Sequence, residues 1–148
     1  MKLFLTAIVG RSPDKSFAAL TALYVGRIAA YGVIESTFFP SEKSFFEWID
    51  RQRSRVVPIV ALLDSRGRQL SSEQFAEWLG KQRDEGQQTI VFAIGPADGW
   101  SEEARKRANL LLSLGPMTLP HELARVVLSE QIYRAFTILS GHPYHTGH

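Results

Sequence analysis

Apolar residues along the chain fall into four short runs that are separated by segments with helical spacing. The runs cover residues 3–9, 33–39, 57–63 and 89–94, and each is rich in β-branched or aromatic residues. Such runs, linked by helices, are typical of parallel strands that are buried on both faces. The pattern predicts one α/β domain over residues 1–148, with a mostly parallel sheet and helices on both faces.

Five helices are expected to connect and follow these strands, beginning near residues 14, 41, 71, 101 and 122. The first is predicted to end near residue 31, and the third opens with Ser71 and Gln74 at the spacing of a capping box. The fourth carries an inward apolar stripe that extends the predicted helix to residue 112. That stripe consists of Ala104, Ala108, Leu111 and Leu112.

The last predicted helix, residues 122–139, is apolar on two sides. One side carries Leu128, Ile132, Ala135, Phe136 and Leu139, and the other carries Leu123, Val126, Val127, Glu130 and Arg134. If one side meets the sheet, the other can meet a second copy of the chain, which predicts a symmetric homodimer. Glu130 and Arg134 are then expected to pair in that interface. Complete burial of the helix inside the monomer is the alternative.

The composition excludes some kinds of site and favours others. The 148 residues include no cysteine, which excludes disulfides, a thiolate nucleophile and cysteine zinc sites. The formal net charge is only +2, but the basic residues are 12 Arg and 5 Lys. Arginine binds phosphate through two parallel hydrogen bonds, so the excess of Arg over Lys weakly indicates RNA or another anionic partner. The apolar run at the start is too short to span a bilayer, and no membrane association is expected.

Two irregular segments are candidate ligand loops. Residues 95–99, GPADG, follow the fourth strand, and ligands of open α/β sheets bind at such strand ends. The loop matches neither the dinucleotide fingerprint nor the P-loop, which disfavours nicotinamide cofactors and ATP. Residues 115–121 contain two prolines and a glycine, and their free backbone groups can read an adenine edge. By their pattern alone, residues 95–99 more often form a plain strand-to-helix turn than a binding loop, and residues 115–121 can equally be a plain connection.

The tail contains three of the four histidines, His142, His145 and His148, together with Tyr144. No carboxylate or cysteine accompanies them, so no metal site is predicted. Aromatic and imidazole rings can instead stack on an unpaired base and contact its edge or phosphate.

Four segments carry a family resemblance: FAIGPADGW at 92–100, LSLGPMTLPH at 112–121, RVVLSEQIYRAF at 125–136 and HPYH at 142–145. They resemble the ribosomal RNA large subunit methyltransferase H family, SPOUT-class enzymes that methylate N3 of a pseudouridine in 23S rRNA. The resemblance implies an α/β fold with a deep C-terminal trefoil knot and a homodimer that acts on assembled ribosomes in the cytoplasm. It also implies that S-adenosyl-L-methionine is bound in a bent conformation.

The resemblance also implies the site residues. Cofactor contacts fall on Leu63, Gly95, Leu114, Gly115, Pro116, Met117, Thr118 and Leu119. The substrate side is assigned to His121, Arg134, Tyr144 and His145, with the tail completing the partner subunit's site. His121 or His145 is expected to handle the N3 proton, and Arg134 to anchor the interface or a phosphate.

Two departures from the family pattern keep alternatives open. Pro96 stands where the family usually has a second glycine, which removes one backbone N–H. Thr146, Gly147 and His148 replace the basic residue that often follows the Tyr-His pair in the family. A knotted methyltransferase with another RNA target and an inactive ribosome-binding homologue therefore remain alternatives to the leading prediction.

Overall fold

Strands and helices alternate along most of the computed structural model, which describes residues 1–9 and 13–147. The strands are β1 Lys2–Ile8, β2 Val33–Phe39, β3 Ile59–Gln69, β4 Thr89–Ile94 and β5 Leu110–Ser113. The helices are α1 Lys15–Ile28, α2 Glu42–Gln52, α3 Ser72–Asp84, α4 Glu102–Arg107 and α5 His121–Ser140, followed by a short 3₁₀ turn at His145–Gly147. His148, one of the three tail histidines, lies outside the described residues, as do residues 10–12.

The five strands form one sheet in the order β2-β1-β4-β3-β5, and every pairing is parallel. The central strands are almost wholly buried, and the hydroxyl of Thr6 in β1 donates to the carbonyl of Phe92 in β4 at 2.8 Å. The carboxyl ends of β3, β4 and β5 therefore lie side by side at one edge of the sheet. The predicted parallel sheet is confirmed.

Helices cover both faces, as predicted. On one face α1, α3 and α5 pack over a core that includes Ile28, Phe75 and Leu128. On the other face α2 and α4 pack over a second core that includes Phe45 and Ala104. The serine caps of the helices are also present, since the Ser71 hydroxyl accepts from the amide of Gln74 and the Gln74 side chain accepts from the amide of Ser71.

The prediction for residues 108–112 was wrong. Helix α4 ends at Arg107, and Leu111 and Leu112 lie in strand β5 rather than on a helical stripe. The reason is tertiary pairing with β3: the amide of Asn109 donates to the Val60 carbonyl at 2.8 Å, and the Asn109 side chain accepts from the Val60 amide at 2.8 Å. A leucine-rich edge strand with apolar contacts on both faces has no alternating pattern to reveal it.

Other boundaries differ by less. Helix α1 ends at Ile28, three residues before the predicted end, and a turn with Tyr31 N–H bonded to the Ile28 carbonyl follows it. Strand β3 runs on to Gln69 through an irregularity between Leu63 and Arg68. Gly67 makes this possible, since a Cβ there would lie 2.6 Å from the backbone carbonyl of β5.

Helix α5 lies between α1 and α3 and buries one apolar side against the sheet. Leu128 and Ile132 on that side are fully buried, whereas on the other side Val126 is buried and Leu123 and Val127 are half-buried. The outer side is thus neither fully covered within the chain nor fully open. Glu130 and Arg134 do pair, at 2.7 Å, but with each other in the same chain. None of the described helices is long and apolar enough to cross a membrane.

Candidate functional site

A cavity of ≈ 260 Å³ opens at the carboxyl ends of β3, β4 and β5. Its walls include all eight positions expected to contact a cofactor: Leu63, Gly95, Leu114, Gly115, Pro116, Met117, Thr118 and Leu119. Parallel strands bring these positions together because their carboxyl ends meet at the same sheet edge. Positions that are more than 50 residues apart in the sequence thus surround one space.

The floor of the cavity depends on Trp100. The buried indole donates its Nε1–H to the Leu63 carbonyl at 2.9 Å, which ties the loop after β4 to the end of β3. Gly95 passes directly over the ring, and a Cβ at that position would lie 2.7 Å from Trp100 Nε1. The glycine is therefore required by the close approach of the indole, and sequence analysis had assigned no role to Trp100.

Pro96 shapes the loop that follows. Its carbonyl accepts the amide of Gly99 at 2.8 Å, and Gly99 has a φ of 88°, a conformation that favours glycine. The proline supplies no N–H to a ligand, as expected, but it closes the turn that carries Trp100 under the cavity.

Residues 114–119 form the opposite wall. Gly115 has a φ of 125°, and its amide donates to the Ser113 hydroxyl at 3.1 Å. Among residues 1–9 and 13–147, no protein acceptor takes the amide hydrogens of Met117, Thr118 or Leu119. This wall therefore offers unused backbone donors beside apolar side chains, and Met117 stands 84% exposed at the rim.

One corner of the cavity is formed by two charged residues, Asp64 and Arg105, which the sequence did not predict as site residues. The carboxylate of Asp64, which directly follows the buried half of β3, accepts from Arg105 Nε at 2.5 Å and from the amide of Arg66 at 2.8 Å. The hydrogen bond to Asp64 raises the pKa of Arg105. An acid that follows an apolar strand at the ligand-binding edge is the signal that could have identified it.

His121 lines the cavity and also an adjoining groove. The groove, ≈ 410 Å³, runs over the ends of β1 and β2 and is walled by Ile8, Val9, Pro40, Pro96, Ala97, Pro120, His121 and Glu122. The imidazole therefore lies on the wall between two spaces, where it can meet groups held in either.

The other three expected substrate-side residues lie together at the far end of α5. Arg134 donates to Glu130 at 2.7 Å and contacts His145 Nδ1 at 3.0 Å, and its guanidinium lies 4.8 Å from the centre of the Tyr144 ring. The Tyr144 hydroxyl donates to Glu130 at 2.8 Å. Glu130, predicted only as the partner of Arg134, is the acceptor that organises this cluster.

The contacts of His145 fix its tautomer. A guanidinium can only donate, so Nδ1 accepts from Arg134, and Nε2 carries the hydrogen that Glu73 accepts at 2.6 Å. Both ring nitrogens are engaged within the chain. Side-chain hydrogen bonding to His145 holds the pKa of Glu73 below its ordinary value.

Charge and burial oppose each other at Glu130. Burial alone would raise the pKa of Glu130, but hydrogen bonds from Arg134 and Tyr144 outweigh it and hold that pKa below its ordinary value. Burial, with the hydrogen bond to Glu130, raises the pKa of Tyr144 to about 12. The phenol is therefore a hydrogen-bond donor at neutral pH.

The structure does not bring His121 to this cluster. His121 is the first residue of α5 and Arg134 lies thirteen residues further along. At a rise of 1.5 Å per residue the two positions are about 20 Å apart along the axis. Within one chain, the expected substrate-side residues thus form two separate groups.

Arg125 is a further charged residue that the sequence analysis left without a role. It is 7% exposed, its Nη2 donates to the Ser36 hydroxyl, and its guanidinium lies 4.5 Å from the Phe38 ring centre. Burial lowers the pKa of Arg125. No sequence pattern distinguishes it from an ordinary solvent-exposed helix arginine. Among the described residues there is no cluster of three or more potential metal ligands, and His148 lies outside them.

Comparison with known proteins gives a family. The profile of the family described as "Predicted SPOUT methyltransferase" matches residues 1–145. A protein named "Ribosomal RNA large subunit methyltransferase H" from Koribacter versatilis is 48% identical over 140 residues, covering 95% of both chains. A protein of the same name from Rhodospirillum centenum is 59% identical over 87 residues, which are 59% of this chain and 57% of that one.

Solved structures share the fold at low sequence identity. A probable methylase family protein from Haemophilus influenzae has a TM-score of 0.59 at 12% identity, covering 97% of this chain and 69% of that one. The SpoU methyltransferase AviRb from Streptomyces viridochromogenes has a TM-score of 0.52 at 13% identity, covering 95% and 60%. With the family match over nearly its whole length, the chain belongs to the SPOUT methyltransferases, a family of enzymes.

Proposed function

We propose that this SPOUT methyltransferase transfers the methyl group of S-adenosyl-L-methionine to N3 of a pseudouridine in 23S rRNA of the large ribosomal subunit. The observation that carries the proposal is the single cavity at the strand ends, which gathers all eight expected cofactor positions. The names of the relatives support a ribosomal RNA substrate.

The cavity has the chemistry that an adenosine requires. Leu63, Gly95 and Leu114 supply backbone and apolar surface, and Met117 and Thr118 offer amide donors with no protein acceptor among the described residues. A flat heterocycle is held well by apolar packing with a few backbone hydrogen bonds. When bound there, S-adenosyl-L-methionine supplies an electrophilic methyl group, so the protein needs no nucleophile of its own.

His121 is our choice for the residue that accepts the N3 proton of the target base. Its imidazole lies between the cofactor cavity and the adjoining groove, so a base in the groove would have His121 beside its edge. The groove is walled mainly by apolar residues, including Pro40, Pro96 and Pro120. His145 suits this role less, because both its ring nitrogens are engaged by other side chains.

A homodimer would reunite the two separated groups of substrate-side residues. Arg134 on α5 and Tyr144 in the tail of one protomer would then complete the cavity of its partner. Exposed apolar surface supports this arrangement: Leu20 and Leu23 on α1 are 44% and 45% exposed, and the outer side of α5 is half-buried. A two-fold interface would use the same surface on both protomers.

Mixing variants tests whether the site is shared. H121A and Y144F homodimers would each have two defective sites, whereas a mixed dimer would have one intact site. Refolding the two inactive variants together should restore about a quarter of the wild-type activity if dimers assort randomly, because half are mixed and each has one good site. No recovery from a mixture that contains mixed dimers would place both residues in the same protomer's site.

Two further features follow from the proposal. A ribosomal substrate would place the protein in the cytoplasm, and the folded surface of the assembled ribosome would supply the specificity. The net charge of +2 fits recognition of a folded surface better than general capture of free RNA. The single domain over residues 1–148 and the C-terminal trefoil knot remain predictions.

Calorimetry with S-adenosyl-L-methionine is the first test. Saturable heat with one equivalent per intact site supports the cofactor assignment, whereas no heat at millimolar cofactor would favour an inactive ribosome-binding homologue. Mapping the labelled nucleoside after transfer then decides the target, since a label on any other nucleoside would indicate a different RNA substrate.

A further inference from the structure

The charged corner of the cofactor cavity differs from its apolar walls. Asp64 and Arg105 both line the cavity and are joined by the 2.5 Å bond between Arg105 Nε and Asp64 Oδ2. The Asp64 side chain is only 2% exposed, and its other oxygen accepts the Arg66 amide. Both oxygens of Asp64 therefore accept hydrogen bonds from the protein, and this buried carboxylate positions Arg105 and does not bind a ligand itself.

Arg105 keeps one terminal nitrogen for a ligand. Nε is bonded to Asp64, and Nη1 donates to Glu102 Oε1 at 2.7 Å. Nη2 has no protein acceptor among residues 1–9 and 13–147, and it lies beside the cavity wall, 3.8 Å from where a Cβ on Gly99 would be. A guanidinium only donates and stays charged, so an anionic oxygen is the acceptor that suits this position best.

We propose that Arg105, positioned by Asp64, binds the α-carboxylate at the methionine end of S-adenosyl-L-methionine. This rests on the proposed function, because it takes that molecule as the occupant of the cavity. The α-carboxylate is the one anionic group of that ligand, whereas the ribose hydroxyls would call for an accessible carboxylate, and the Asp64 side chain is only 2% exposed. Adenosine is then left to the backbone donors of residues 117–119.

Two ligands that differ at the methionine end test the assignment. S-adenosylhomocysteine retains the amino-acid end, and 5′-methylthioadenosine lacks it. Calorimetry should show that R105Q weakens binding of S-adenosylhomocysteine by about 10- to 100-fold, as expected for a hydrogen bond to a charged group. Binding of 5′-methylthioadenosine should change by less than about threefold, within the range expected for a site that keeps its shape.

Matched variants separate this role from folding. R66Q removes a guanidinium that also bonds to Glu102 but is 61% exposed and lies outside the cavity lining, so it should leave both affinities unchanged. R105K keeps the charge without the fork and should lose part of the affinity for S-adenosylhomocysteine alone. Thermal unfolding of each variant checks that the chain is folded.

Each outcome decides the proposal. A loss confined to S-adenosylhomocysteine supports it. Equal losses for the two ligands would show a structural role for Arg105, and unchanged affinity for both would place the carboxylate elsewhere, so either result overturns it. If the wild-type protein binds neither ligand, the proposed function fails as well, and this result is distinct from a defect limited to R105Q.

Discussion

Replacing Gly95 by alanine should damage the floor of the cofactor cavity. The added Cβ would lie 2.7 Å from Trp100 Nε1, whereas ordinary contacts begin at 3.4 Å, so the indole must retreat by about 0.7 Å. The ring is packed against Phe45 and Phe46, which leave it little room. Overpacking of this kind costs about 1–3 kcal/mol.

The displaced ring would also lose a hydrogen bond. Nε1 now lies 2.9 Å from the Leu63 carbonyl, and a retreat of about 0.7 Å would stretch that distance beyond a hydrogen bond. Leaving a buried polar pair unsatisfied costs about 1–3 kcal/mol. Together the two effects predict that G95A lowers the free energy of unfolding by about 2–6 kcal/mol and weakens cofactor binding.

Urea denaturation of a double-mutant cycle measures this coupling. W100F alone should cost about 1–3 kcal/mol through the lost donor, and G95A should cost less in that background because the smaller ring leaves space. D98A, an exposed position in the same loop, should change stability by less than about 0.5 kcal/mol and serves as control. The reasoning is refuted if G95A costs the same in both backgrounds, or nothing in the wild type.

Three further predictions concern other parts of the molecule. G67A should lower the free energy of unfolding in urea by about 3 kcal/mol or more, because its Cβ would lie 2.6 Å from backbone atoms of β5 that cannot move aside. A loss under about 1 kcal/mol would contradict this. Because the pKa of Glu130 is lowered, this residue stabilises the fold at pH values above the ordinary pKa of 4.5, and the stabilisation is lost as the pH falls through the lowered pKa. The melting temperature of E130Q should therefore fall less with acid than that of the wild type, and equal pH slopes would argue against this reasoning. H121A should reduce the rate of methyl transfer by about 100-fold or more while calorimetric cofactor affinity changes little, and an equal loss of both would indicate a structural role.

Much of the fold could be predicted because burial is encoded in short-range patterns. Strands β1 and β4 are near-continuous apolar runs, and Ser71 with Gln74 marks a helix start through local hydrogen bonds. Strand β5 could not be found in this way, since it is defined by pairing of Asn109 with Val60, about 50 positions away in the sequence. Leucines alone are compatible with either a helix or an edge strand.

The candidate site, like the fold, could be predicted only in part. The glycine and proline loops were identifiable as candidate ligand segments because glycine and proline restrict the backbone in known ways. Family resemblance supplied the particular cofactor positions, and the structure places them around one cavity. Trp100 and Arg105 carry no local signal, because their roles arise from contacts with Leu63 and Asp64 on a distant strand. Tertiary contacts of this kind are not visible in sequence periodicity.

The separation between His121 and the tail is the most informative departure from the expected site. The family resemblance places His121 and Arg134 in one group of substrate-side residues, whereas the length of α5 separates them by about 20 Å along its axis in one chain. A stable monomer near 16.6 kDa in dilute scattering experiments would mean that no second protomer brings the two groups together. A mass of twice that value agrees with a site built from two protomers.

Transfer of a labelled methyl group to ribosomes that lack the modification tests the central claim most directly. Purified protein, labelled S-adenosyl-L-methionine and either assembled ribosomes or free 23S rRNA are incubated, and the labelled nucleoside is then mapped. The account predicts label on N3 of one pseudouridine of 23S rRNA, with assembled ribosomes as the better substrate. Label on another nucleoside, or no transfer by a protein that binds the cofactor, would contradict it.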